Sequence, residues 1–194
     1  MSLLDNEDIL VNSTESAIND MMIKWAVKTF TFYNKNNEVA NMSPQSLFKI
    51  VDYGGKKYIN IMESVKVNPS ITEFEYPIGV ARNIFNINGC NLKSLKNGPL
   101  EVWGYMDIEH CPNLESLEGA PKYVLGNVYI IDCPELKTMD FYPGLAVGAG
   151  IMCHECPRLS SLDKLKIDRI NMGICGYNFS TGSKISKYTG KRYI

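Results

Sequence analysis

The sequence predicts an α/β repeat fold, mostly β: a short solenoid with one parallel sheet, closed at its N-terminal end by a helical cap. Three observations predict it. First, one skeleton, apolar-x-apolar-x-x-Cys-Pro-x-Leu-x-x-apolar, is written at Met106 to Leu117, at Val128 to Met139 and at Ile151 to Leu162. Second, Cys90, Cys111, Cys133, Cys156 and Cys175 follow one another at steps of 21, 22, 23 and 19 residues. Third, the first 55 residues carry helix signals and no copy of the repeat.

Taken in order, residues 1–12 read as loose chain. Asn12-Ser13-Thr14-Glu15 then resembles a capping box, and Ile18, Met21, Met22 and Trp25 follow at helical spacing, which predicts a helix from about Ser13 to Lys28. Phe30-Thr31-Phe32 alternates like a strand and ends at the turn-rich Asn34 to Asn37. Ser43-Pro44 pairs a cap with proline at the first helical position, so a second helix is expected to about Asp52, stopped by Gly54-Gly55. Residues 1–55 are therefore the expected N-terminal cap, since the open end of a solenoid would otherwise expose core. The solenoid is expected over 56–179 as five to six coils. Its first, worn copy is Ile59-x-Ile61-x-x-Ser64-x-x-Val67, and its last is Ile170-x-Met172-x-x-Cys175. Residues 180–194 hold four cations and no acid and read as a basic tail.

The residue choices have physical reasons. The two apolar positions alternate along a short strand and so share one face. The cysteine turns inward where the strand ends, as a compact hydrophobe with a weak donor. Pro134 and its equivalents begin the return arm, where no ladder N–H is needed, and Leu136 and Met139 tuck back beneath the strand. Gly104, Gly126 and Gly148 are expected at tight turns leading into the strands. Leu114 to Pro121 is too short and too broken by Gly and Pro for a full helix, so the outer side should be loops and 3₁₀ turns.

Phe85-x-Ile87-x-x-Cys90-x-Leu92 fits the core of the leucine-rich repeat, and the period lies in its range. The chain thus resembles cysteine-containing leucine-rich-repeat proteins over roughly residues 56–179. Leu117-Glu118-Gly119-Ala120-Pro121 is similar to a segment of the divergent repeats found in many bacteriophage and giant-virus proteins. The resemblance implies a leucine-rich-repeat-like solenoid with a concave parallel sheet. It also implies a small phage accessory protein that binds and modulates a host protein.

Composition narrows the function. The chain is 45% hydrophobic and 21% charged, a globular balance, and its net charge of −1 does not suit a dedicated nucleic-acid binder. No run approaches the length of a membrane span, and Met1 to Asp8 is acidic rather than basic-then-apolar, so the expected place is the cytosol. There the thiols should form a reduced, buried column. Cys153-His154-Glu155-Cys156 has the look of a redox or metal motif, but Cys153 occupies the inward slot of Ile108 and Ile130, and no second pair of ligands is visible. Neighbours on a strand point apart, which separates Cys153 from His154 as a nucleophile pair. Gly144 to Gly150 lacks the Lys-Ser/Thr of a phosphate loop, and Asp107 with Glu109 alone is no sign of acid–base chemistry. No catalytic residue, metal or cofactor is expected.

What the repeat supplies is a surface. Reading the register outward gives Tyr58, Asn60 and Met62, then Asn86 and Asn88, then Tyr105, Asp107 and Glu109. Asn127, Tyr129 and Ile131 follow, then Met152 and His154, then Arg169 and Asn171. Tyrosine and arginine anchor many protein interfaces, so the protein-binding candidates are Tyr105, Asp107, Glu109, Asn127, Tyr129, Ile131, Met152, His154 and Arg169. Trp103 is either a further anchor or a core residue. The expected partner is a host or viral protein. The alternative is a nucleic-acid-associated role through the basic tail, and self-association through an open C-terminal coil bearing Ile170, Met172 and Ile174 is a further route.

Overall fold

The structure, a computed structural model, describes residues 3–33, 39, 42–139, 145–159, 167–170, 173–177 and 185–187, with side chains described between residues 14 and 159. The chain opens with α1 (Leu3–Thr29), which runs straight through the expected cap at Asn12 and Ser13. Residues 3–12 are therefore helical, not loose. The sequence signal was misleading because Asn, Ser and Thr cost only a fraction of a kcal/mol within a helix. Met22, Ala26 and Thr29 form the buried face of α1 at i, i+4 and i+7, while Ile18 and Met21 are exposed. Thr29 Oγ1 donates to the Trp25 carbonyl, which satisfies its buried hydroxyl.

β1 (Phe30–Phe32) follows with the expected alternation. The second helix is cut to α2 (Pro44–Leu47), and the rest of the segment is β2 (Phe48–Tyr53). The Gly54-Gly55 turn folds β2 antiparallel onto β3 (Lys56–Ile61). Ile50 and Val51 are β-branched and pair with Ile59 and Tyr58, so strand pairing overrides the proline-capped helix signal. An aromatic cluster ties this region to the first coil: Phe30 packs against Phe48, Phe74 and Phe85 with ring centroids 6.1 to 6.4 Å apart.

From there each coil contributes two strands. They are β4 (Val65–Val67) and β5 (Ile78–Ala81); β6 (Phe85–Asn88) and β7 (Glu101–Val102); β8 (Met106–Glu109) and β9 (Tyr123–Val124). Next come β10 (Val128–Ile131) and β11 (Leu145–Val147), then β12 (Gly150–His154) and β13 (Ile167–Ile170); the last pair, β14 (Gly173–Tyr177) and β15 (Ile185–Lys187), forms no coil of this kind, both strands lying antiparallel in one sheet. The strands sort into two sheets, one of eight strands in the order β1-β4-β6-β8-β10-β12-β14-β15 and one of seven in the order β13-β11-β9-β7-β5-β3-β2. The chain is mostly β, a β-solenoid of about four turns with an N-terminal helix. A single sheet was expected; the second is a correction. Its strands are only two to four residues long where the coils are regular, too short to show an alternating pattern.

The two sheets and the arm between them close one continuous core. Val65, Phe85, Met106, Val128 and Ile151 stack as one buried column, and Val67, Ile87, Ile108, Ile130 and Cys153 as a second. The return arm is stacked as well, since Glu115 N donates to Lys93 O and Lys137 N to Glu115 O. Leu92, Leu95, Leu114, Leu117, Leu136 and Met139 point from it into the core.

Two corners hold each coil. At one, the residue before each thiol is left-handed: Gly89, His110, Asp132 and Glu155 have φ of 71, 51, 51 and 53°. This turn aims the following cysteine inward. At the other corner, Gly104, Gly126 and Gly148 lead into β8, β10 and β12 as expected, but the reason is close approach. A Cβ at Gly148 would lie 1.9 Å from the Leu125 carbonyl oxygen, and one at Gly104 would lie 2.6 Å from the Asn83 backbone.

Candidate functional site

The outer face of the eight-stranded sheet is where the repeat places the outward positions, and its rows are fixed by backbone register. Lys66, Asn86, Asp107, Tyr129 and Met152 stand opposite one another across β4, β6, β8, β10 and β12. Asn88, Glu109, Ile131 and His154 form the next row. Asp107, Glu109, Tyr129, Ile131, Met152 and His154 are thus brought together on one face, half-buried against their neighbours.

Three sequence expectations need correcting. Tyr58 and Asn60 lie on β3, in the seven-stranded sheet, and Arg169 lies on β13 of that same sheet. The repeat copy that does join the face is Val65-x-Val67-x-x-Ser70, 20 residues before Phe85-x-Ile87-x-x-Cys90. Reading that copy would have found Lys66. At the far end Ile174 pairs with Ile151 and Cys175 with Met152, so Cys175 is out of register with the other thiols. β14, which carries Ile174, is followed in its sheet by β15, paired antiparallel, and β15 is the last described strand at that end. Most of the basic tail, 180–184 and 188–194, lies outside the described residues, as do Met172 and the Asn34 to Asn37 turn.

Tyr105 and Asn127 sit at the corner before their strands, not within them. Asn127 works on the scaffold: its Oδ1 accepts from Gly150 N at 2.9 Å and its Nδ2 donates to the Tyr129 hydroxyl at 2.9 Å, which orients that ring on the face. Trp103 is 43% exposed, Tyr105 48% and Leu125 52%, so Trp103 is surface and not core. These three line a cleft of about 340 Å³ with Ser64, Asn83 and Ile84. Trp103 Nε1 donates to Glu101 at 3.0 Å, and the Arg82 guanidinium lies 5.5 Å from its ring centroid.

A second cleft, of about 380 Å³, opens on the face itself between Tyr33, Lys66, Asn86, Asn88 and Asp107. Asn86 Nδ2 donates to Asp107 at 3.3 Å and Asn88 Nδ2 to Glu109 at 3.1 Å. Burial pushes the Asp107 carboxyl above the usual carboxylate range; Glu109 adds to the rise and the Asn86 hydrogen bond opposes it. Among the described residues neither carboxylate has a Lys or Arg within salt-bridge reach.

Beneath the face runs the thiol column. Cys90, Cys111 and Cys133 Sγ lie 3.6, 3.4 and 3.8 Å from the carbonyl oxygens of Val67, Ile87 and Ile108, one coil back in each case. Burial pushes the Cys90 thiol up to about 12, and the bonds to neighbouring thiols, then burial, raise Cys133 further. Cys153 pairs in register with Ile130, as its slot implies, and lies 3.8 Å from Cys156 with both thiols free. Hydrogen bonds with neighbouring thiols pull Cys111 and Cys156 below the ordinary thiol range, whereas Cys90, Cys133 and Cys153, buried and held above it, are poor nucleophiles.

Among the described residues no helix is long and apolar enough to cross a membrane. No protein-family model matches the chain, and no curated protein or solved structure matches it at a significant level.

Proposed function

We propose that the chain is a non-enzymatic protein-interaction module, and that the outer face of its eight-stranded sheet is the contact surface. The leucine-rich-repeat likeness of the sequence makes this face the concave one. The Leu117 to Pro121 likeness makes the protein a phage accessory factor that binds and modulates a host protein in the host cytosol. The observation that carries the reading is the outward rows. Two rows on a rigid, repeated backbone present carboxylates, amides, Tyr129, Ile131 and Met152 side by side without a covering element among the described residues. Such a mixture of aromatic, apolar and polar groups on a preorganised surface suits protein recognition, because little conformational entropy is lost on binding.

The test is affinity capture from bacterial lysate with wild-type bait and with Tyr129→Ala/Asp107→Lys bait, after both are shown to melt cooperatively. A protein retained by wild type and lost with the variant is the expected result. Retention unchanged by both substitutions would move the contact off this face.

A further inference from the structure

The aromatic corner cleft and the polar face cleft meet, since Ser64 and Ile84 line both. Together they make one groove that turns from the edge of the solenoid onto the sheet. Its two ends differ in chemistry. The corner offers the three half-exposed apolar side chains of Trp103, Tyr105 and Leu125. The face end offers Asp107, and beside it Glu109, each already engaged by a neutral amide and neither neutralised by a cation. Two cations border the groove without pairing to these carboxylates: Lys66 lines the face cleft two strands from Asp107 in its row, and the Arg82 guanidinium lies over the Trp103 ring.

We propose that this groove takes an extended peptide segment that pairs a cationic side chain with an apolar or aromatic one. The inference rests on the protein-interaction reading above and narrows it to a class of partner. The cation sits against Asp107 and Glu109, and the apolar side chain packs on Trp103, Tyr105 and Leu125. Charge complementarity selects this occupant. A half-buried carboxylate pair has lost hydration that an incoming ammonium or guanidinium restores. A guanidinium suits the site, because its planar fork can pair bidentately with a carboxylate. The same two charges repel a phosphate backbone, which sets nucleic acid aside for this groove.

The experiment is selection of a yeast-displayed random peptide library on the full chain, followed by anisotropy titration of the fluorescein-labelled winners. Enrichment of Arg or Lys near an aromatic or aliphatic residue is expected. The winners should bind about tenfold more weakly to Asp107→Asn/Glu109→Gln and, separately, to Trp103→Ala/Leu125→Ser. Both double variants change surface groups, and a cooperative melt no lower than that of the wild type verifies their fold. Winners without a cationic preference that still depend on Tyr129 and Met152 would overturn the cation assignment and leave the interaction face standing. Winners indifferent to every one of these substitutions would overturn both. Binding of a glycan array through Trp103, with no peptide enriched, would reassign the corner to sugars and also overturn both.

Discussion

The left-handed corner before each thiol gives a sharp energetic test. Gly89, His110, Asp132 and Glu155 occupy equivalent positions with φ between 51 and 71°. An L-residue held there costs about 1–2 kcal/mol from the contact of its Cβ with the backbone. Glycine removes that cost but gives up about 0.5–1 kcal/mol through its freer unfolded chain. Glu155 is exposed, and its replacement leaves no hole. Glu155→Gly should therefore stabilise the fold by about 0.5–1 kcal/mol. With a urea m-value of about 2 kcal/mol/M, the unfolding midpoint rises by about 0.25–0.5 M. Gly89→Ala is the mirror experiment. Nothing lies within 4 Å of the added Cβ, so only the backbone strain is felt, and a loss of about 0.5–1 kcal/mol is expected. His110→Gly is a poorer probe, because it also removes the 2.8 Å contact of Nδ1 with Asp132. A fall in midpoint for Glu155→Gly beside no change for Gly89→Ala would refute the left-handed turn at this position.

Asp107→Asn should raise the melting temperature at pH 7 and change it little at pH 3. The folded carboxyl titrates above its unfolded value, so its burial costs nothing while both states are protonated, and the cost grows as pH rises from the unfolded pKa through the folded one and is complete above it; thermal melts at the two pH values check this. Ile130→Ala should cost about 2–5 kcal/mol, because the side chain is wholly buried between Ile108 and Cys153, while Ile131→Ala on the outer face should cost under about 1 kcal/mol; urea unfolding of the pair tests the register, and equal costs would sink it. Gly148→Ala should fail to give a cooperative melt, as its Cβ would collide with the Leu125 carbonyl between stacked coils. In site-resolved alkylation of the native protein, Cys90 and Cys133 should remain unmodified until denaturant is added.

What was legible in the sequence was whatever repeats. The Cys-Pro skeleton located β8, β10 and β12 and their inward slots, including the placing of Cys153 with Ile108 and Ile130. The same logic broke where the repeat gives way to its neighbours. Lys56 to Ile61 has the apolar spacing of a coil strand, yet β2 lies beside it in the chain and captures it as a hairpin, since adjacent strands pair at small entropic cost. At the other end Ile170 was read into the thiol-bearing sheet because Cys175 lies five residues on, but that strand belongs to the second sheet. The second sheet was hidden because Glu101–Val102 and Tyr123–Val124 are held by coil-to-coil bonds that leave no pattern within one coil.

The candidate site divides along the same line. Backbone register alone placed Asp107, Glu109, Tyr129, Ile131, Met152 and His154 on one face, so those residues could be named before any geometry was known. The groove could not be. Tyr33 comes from just past the strand after the helix, Lys66 from an unrecognised copy, and Trp103 and Leu125 from a corner where glycine spacing, not alternation, sets the turn. Inward positions are near-copies from coil to coil because each must fill the same space between the same neighbours. Outward positions carry no such constraint: Lys66, Asn86, Asp107, Tyr129 and Met152 share one row and have no chemistry in common. A fold that fixes the backbone by repetition and leaves these rows free can present one particular sequence of groups to a partner. Substitutions along the rows should therefore alter binding with little effect on stability, and substitutions in the columns beneath should do the reverse.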